Sequence, residues 1–160
     1  MKHEIVVIGS SSELATRFIK LCLEKSEFVV SISRSEFDQI KTSHHIQIED
    51  YFEDYLIIEN EVRKLSNPTL IFFNGFLAEN RNFQFPTKDE ISKTDEINFV
   101  LPYFLSRKLN MKLENISKFI YISSNCNRFE RLASSEMRVT ETAILKYASI
   151  LRRSPNLGTG

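Results

Sequence analysis

The sequence predicts an α/β domain organised on a doubly wound parallel sheet, and three observations carry that prediction. Short apolar runs rich in Val and Ile, such as Ile5-Val-Val-Ile8 and Leu70-Ile-Phe-Phe73, alternate along the chain with stretches of helical spacing. Those runs are continuous rather than alternating, as expected of strands covered on both faces. Small and polar residues collect where each run ends: Gly9, Ser33–Arg34, Asp50, Asn74–Gly75 and Ser124. In open α/β sheets ligands bind outside the carboxyl ends of the strands, so this convergence marks the end of the sheet where a site belongs.

The first unit is Glu4 to Ala15, read as a buried strand, a turn at Gly9 and the first turn of a helix. Gly9 lets the backbone turn without a Cβ clash. Ser10, Ser11 and Ser12 are N-cap candidates, and Glu13 suits the positive end of a helix. Leu14, Phe18, Leu21 and Cys22 recur at helical spacing and mark the expected apolar face. A strand, glycine turn and helix opening an α/β chain present outward amide groups suited to a phosphate or pyrophosphate.

Phe28–Ser33 reads as the second strand, and Arg34 follows it at once with no carboxylate at the strand end. In dinucleotide-binding sheets that place faces the adenosine ribose: an acidic residue takes the 2′-hydroxyl of NAD, and an Arg the 2′-phosphate of NADP. His45–Asp50 alternates like a short third strand ending near Asp50. His44 and His45 are adjacent without a partner at ligand spacing, so surface histidines are expected rather than a metal site. Phe52 to Leu65 carries an imperfect helical pattern stopped by Asn67-Pro68, and the fourth strand, from Thr69, breaks at Asn74-Gly75.

Ala78 to Lys88 is expected to be a polar loop. A helix then starts at Thr94 or Asp95, with Ile97, Val100, Leu101, Phe104, Leu105 and Leu109 apolar and a kink expected from Pro102. Lys118–Ser124 is the fifth strand, and a last helix is expected over about Ser134 to Arg152.

The 160 residues suffice for one domain with a sizeable core, expected over 1–153, with 154–160 as a tail. Twenty-one basic residues balance 21 acidic ones, so no global field points to nucleic acid or a membrane surface. The longest apolar runs are far below a membrane span, and the two cysteines form no Cys-x-x-Cys pair. The first strand begins too soon after Met1 for a signal peptide, and a reducing cytoplasmic setting is expected.

From Ile5 to about Leu151 the chain resembles the short-chain dehydrogenase/reductases. The family's Thr-Gly-x-x-x-Gly-x-Gly turn stands here as Ile8-Gly9-Ser10-Ser11-Ser12-Glu13-Leu14-Ala15, keeping the first glycine. The Ser-Glu-Leu-Ala form resembles members acting on sugars and polysaccharides. The resemblance implies a Rossmann-type, three-layer αβα fold of strand order 3-2-1-4-5. It also implies a dinucleotide held by Gly9, Ser11, Ser12, Glu13, Leu14, Arg34, Asp50, Asn74 and Gly75. NADP is the expected cofactor, with NAD as the alternative. Asn98 matches the helix Asn of the family's proton relay, and Ser124 the catalytic Ser.

The family's acid–base pair is absent. Where its Tyr and Lys stand on the last helix, this chain has Met137 and Glu141, and no Tyr-x-x-x-Lys occurs anywhere. Met has no dissociable proton, and Glu raises a neighbouring phenol's pKa where Lys would lower it. The family's last two strands and substrate lid are also expected to be missing, leaving Phe119-Ile-Tyr-Ile122 as an apolar sheet edge. Three readings follow: an NADP-binding domain with a replaced catalytic pair; a non-enzymatic module forming a homo-oligomer or scaffold; and a residual oxidoreductase or epimerase on a small sugar-like substrate.

Overall fold

A computed structural model of the chain describes residues 3–36, 42, 44–74 and 87–122. The chain divides into two compact units, residues 1–75 with 104–122, and residues 76–103 with 123–160. The first unit holds the sheet. Gly75, the stretch 78–86, Ser124, the helix expected over 134–152 with Met137 and Glu141, and the tail lie outside the described residues.

Five parallel strands make the sheet: β1 (Glu4–Ile8), β2 (Phe28–Ser33), β3 (His44–Gln47), β4 (Thr69–Phe72) and β5 (Lys118–Tyr121). Their order is β3-β2-β1-β4-β5, as the resemblance implied. Strand β1 is central, with Val6 opposite Val30 of β2 and Leu70 of β4. Its Val6, Val7 and Ile8 are wholly buried, which accounts for the unbroken apolar run.

Helix α1 (Glu13–Glu24) crosses from β1 to β2. Ser12 is its N-cap and accepts from Ala15 N–H through its hydroxyl (3.2 Å). Its buried face is Ala15, Ile19 and Cys22, packed with Val7, Val29, Ile71 and Phe73. Of the apolar face read from Leu14, Phe18, Leu21 and Cys22, Cys22 is buried and Phe18 packs against the core, whereas Leu14 and Leu21 are 58% and 57% exposed and Ala15 and Ile19 take the buried places. The small Ala15 allows close helix–sheet approach. The helix ends on Ser26 at φ 59°, with Ser26 N–H donating to Leu23 O (2.9 Å) and Glu27 N–H to Cys22 O (3.0 Å), a Schellman ending.

Strand β3 stops at Gln47, short of the end expected near Asp50, and Asp50 falls in the turn after it. Its Oδ1 accepts from Phe52 and Glu53 N–H at 2.7 and 3.0 Å, and Asp54 Oδ2 accepts from Glu49 and Asp50 N–H at 2.8 and 3.1 Å. Two carboxylates thus close the turn that leads into α2 (Tyr55–Arg63). Where the strand order reverses, right-handed crossovers move helices to the opposite sheet face. There the Phe52 and Tyr55 rings pack on Phe104, with centroids 5.1 and 5.7 Å away. His44 is exposed as expected. His45 is half-buried instead, with Nδ1 2.8 Å from the Ser31 hydroxyl.

In the second unit the helix starts earlier than expected. Thr87 and Glu90 form a reciprocal capping box that begins α3 (Lys88–Asp95). A π-helical turn, Glu96–Val100, follows and runs into α4 (Leu101–Lys112), whose residues from Phe104 onward belong to the first unit. Pro102 has no N–H for Asn98 four residues back, and its ring crowds that carbonyl. The helix widens there, with Leu101 N–H donating to Glu96 O. Among the described residues β5 lies at one edge of the sheet, with Ile120 and Ile122 exposed.

Candidate functional site

The switch point of the sheet lies between β1 and β4, where the strand order turns back on itself. Gly9 leaves β1 at φ +80°, a backbone conformation that glycine alone adopts without strain. It also lies tight against the end of β4: a Cβ on Gly9 would sit 2.9 Å from Asn74 N and 3.1 Å from the Phe73 carbonyl carbon. The requirement for glycine is therefore met inside the protein, by the approach of the β4 end, before any ligand is considered.

Gly9 and Ser10 N–H both donate to Ile32 O at the end of β2, at 3.0 and 3.1 Å. The same oxygen lies 3.4 Å from the hydroxyl of Tyr51, which is only 8% exposed. Burial pushes the Tyr51 pKa up, and the Asn74 side chain, the Arg34 charge and the Gly9 N–H partly offset that by favouring the phenolate. One phenol from the turn after β3 thus touches the ends of β1, β2 and β4. Sequence reading passed over Tyr51, which lies in the turn after β3 and carries no local pattern.

The structure brings together Gly9, Ser12, Arg34, Asn74 and, through its neighbour Tyr51, Asp50. Arg34 is exposed and makes no ion pair among the described residues. Glu13 is turned along α1 to Arg17 (2.6 Å), with both side chains largely in solvent. Ser11 and Leu14 are exposed at the start of α1. Among the described residues, buried Oγ of Ser10, a residue with no exposed surface, and buried Oδ1 of Asn74 have no hydrogen-bond partner.

Asn98 belongs to the second unit, buried in the π-helical turn. Gly75, Ser124, Met137 and Glu141 lie outside the described residues, so the proton-transfer half of the expected site has no geometry to describe. Among the described residues no group of three or more His, Cys, Asp or Glu could hold a metal ion. No helix among them is long and apolar enough to cross a membrane.

The residues present suit a phosphate-bearing nucleotide in three respects. The amide groups opening α1 lie at the crevice, the Arg34 guanidinium at the end of β2 has no ion pair among the described residues, and Ser10 Oγ and Asn74 Oδ1 are buried without partners among them.

No protein-family model and no curated protein matches the sequence. Solved structures do match. A short-chain dehydrogenase/reductase from Burkholderia vietnamiensis superposes with a TM-score of 0.79 at 16% identity, covering 97% of this chain and 78% of that one. The aldohexose dehydrogenase of Thermoplasma acidophilum, in ligand-free form, gives 0.74 at 14% identity, covering 96% of this chain and 63% of that one. A short-chain dehydrogenase from Leptospira borgpetersenii with bound NAD+ gives 0.75 at 16% identity, covering 96% and 66%. The chain therefore spans about two thirds to three quarters of the length of these proteins. At such identities the likeness is one of architecture, and the conclusion it supports with the observed strand order is that this chain has the short-chain dehydrogenase/reductase fold.

Proposed function

We propose that the first unit binds a dinucleotide of the NADP(H) type at the switch point. The observation that carries this reading is Arg34, an exposed guanidinium without an ion-pair partner among the described residues, placed directly after β2. There it supplies the 2′-phosphate with a charge-assisted donor fork. The opening turn of α1 takes the pyrophosphate, and Ser12 holds that turn in shape by capping it. Asp50 sits on the adenine side. Its Oδ1 is engaged by its own turn, which leaves Oδ2 to receive an amino group.

Bound NADPH would supply a hydride. The chain's own contribution to proton movement is reduced, because Met137 and Glu141 stand where the family places Tyr and Lys. Positioned acid–base help is worth roughly 10²–10⁴-fold, so turnover on a carbonyl or sugar-like substrate falls by about that factor. Binding rather than fast oxidoreduction is the function this reading favours, with Ser124 and Asn98 as remnants of the relay.

Titration of the folded protein with NADPH and NADH, followed by nucleotide fluorescence and calorimetry, tests the proposal. Saturable binding with NADPH preferred is expected; no saturation at millimolar NADPH refutes it. Steady NADPH oxidation by a carbonyl substrate, abolished by Ser124→Ala, would restore the enzyme reading.

A second reading, assembly into a homo-oligomer, is favoured by Val100 and Tyr103, large apolar side chains left exposed close to Asn98. Light scattering at tens of micromolar tests it, and a monomer there counts against it.

A further inference from the structure

The least expected feature of the switch point is that the chain fills it with its own side chain. Tyr51 reaches over the ends of β1 and β2, its hydroxyl at Ile32 O and its ring buried. Its bond to Ile32 O is a weak one, and the Asn74 side chain and Gly9 N–H are the phenol oxygen's other neighbours. Ile32 O already accepts from Gly9 and Ser10 N–H at 3.0 and 3.1 Å, and a carbonyl oxygen has two lone pairs. The phenol comes third at 3.4 Å, well beyond an ordinary O–H···O bond.

Two oxygens around it have no partner among the described residues. Ser10 Oγ and Asn74 Oδ1 are buried without partners, on the very residues that meet Tyr51 at Ile32 O and at the end of β4. Buried polar groups are otherwise almost always paired, so two orphans beside one over-subscribed carbonyl mark a place built for groups other than those now in it. The backbone under Tyr51 is fixed, by contrast, because Asp50 and Asp54 close its turn with four N–H···O bonds. Motion there falls to the side chain.

We infer that Tyr51 is a displaceable plug in the crevice, which a nucleotide must push aside before its hydroxyl or amino groups can pair with Ser10 Oγ and Asn74 Oδ1. The inference rests on the nucleotide reading above and adds regulation to it: the closed form lowers apparent affinity by the fraction of molecules in which the phenol is out. With the open form at roughly a tenth of the population, apparent affinity is lowered about tenfold.

The test uses the full chain labelled with ¹³Cζ-tyrosine, with the Tyr51 resonance assigned by its loss in Tyr51→Phe. NADPH is titrated into wild type and Tyr51→Val, with circular dichroism checking that the variant folds. The Tyr51 resonance is expected to shift in proportion to NADPH bound. Tyr51→Val, which vacates the space, is expected to bind NADPH about tenfold more tightly.

If NADPH saturates wild type while the Tyr51 resonance stays put, the plug is refuted and the nucleotide reading survives. Equal or weaker NADPH binding by a folded Tyr51→Val refutes the plug in the same way. If no form of the protein binds NADPH, both fall. Should Tyr51→Val fail to fold, the wild-type resonance alone decides.

Discussion

Replacing Gly9 by Ala adds one methyl group at the tightest point of the switch region. At φ +80° an L-residue gives up about 1–2 kcal/mol to the left-handed backbone. The new Cβ would also lie 2.9 Å from Asn74 N and 3.1 Å from the Phe73 carbonyl carbon. Both are main-chain atoms that cannot rotate away, so β1 and β4 must part locally, at about 1–3 kcal/mol for an overpacked contact. Alanine restricts the unfolded chain and returns about 0.4–1 kcal/mol. The net loss is about 1–5 kcal/mol. Urea denaturation followed by circular dichroism reads it as a midpoint lowered by roughly 0.5–2.5 M, for a slope of about 2 kcal/mol/M. Ser11→Ala, on an exposed side chain one residue beyond Ser10, should stay within about 0.5 kcal/mol of wild type. An alanine variant with the wild-type midpoint would refute the argument, because it would mean that the turn relaxes freely against the end of β4.

Arg34→Ala should weaken NADPH binding by about 10–100-fold, the value of a charge-assisted bond to phosphate, and leave NADH within about threefold; calorimetric titration with each nucleotide checks both halves. Ser26→Gly should raise stability by about 0.5–1 kcal/mol, since a residue at φ 59° in the Schellman ending of α1 pays for its Cβ, and a thermal melt shows it as a higher midpoint. Tyr51, its pKa raised chiefly by burial, should ionise above the ordinary tyrosine value in an alkaline absorbance titration, its step identified by its loss in Tyr51→Phe. The sign follows from proton binding: above pH 10.0, the ordinary tyrosine value, the unfolded chain has released a proton that the folded chain still holds. Stability is therefore full below that pH and declines as pH rises through the folded value, and Tyr51→Phe should flatten that alkaline decline.

Much of the architecture was legible because each strand announces itself twice, by a β-branched apolar run and by the break that ends it. The order of strands came from the resemblance, and the structure agrees with it. Errors arose where residue size stood in for direction. Leu14 and Leu21 are exposed, while Ala15, too small to mark a core face by itself, and Ile19 face the sheet. Helix α3 was hidden by its polar composition, although Thr87 and Glu90 carry the spacing of a capping box. In the site, Gly9, Arg34 and Asn74 were visible as residue types at strand ends. Tyr51 was not, because a phenol reaching from one turn to the end of a different strand leaves no local pattern. The two orphaned oxygens are likewise a property of packing, which only coordinates express.

The position of β1 also sets the timetable of folding. Its pairing with β2 joins Glu4 to Phe28, a loop the chain can close early, whereas its other neighbour begins only at Thr69. Loop closure over that longer span comes late and slowly. During synthesis the most apolar strand in the protein therefore stays open along one side until residues 69–72 have left the ribosome. In that interval a chaperone, or another nascent chain, finds its backbone available for pairing.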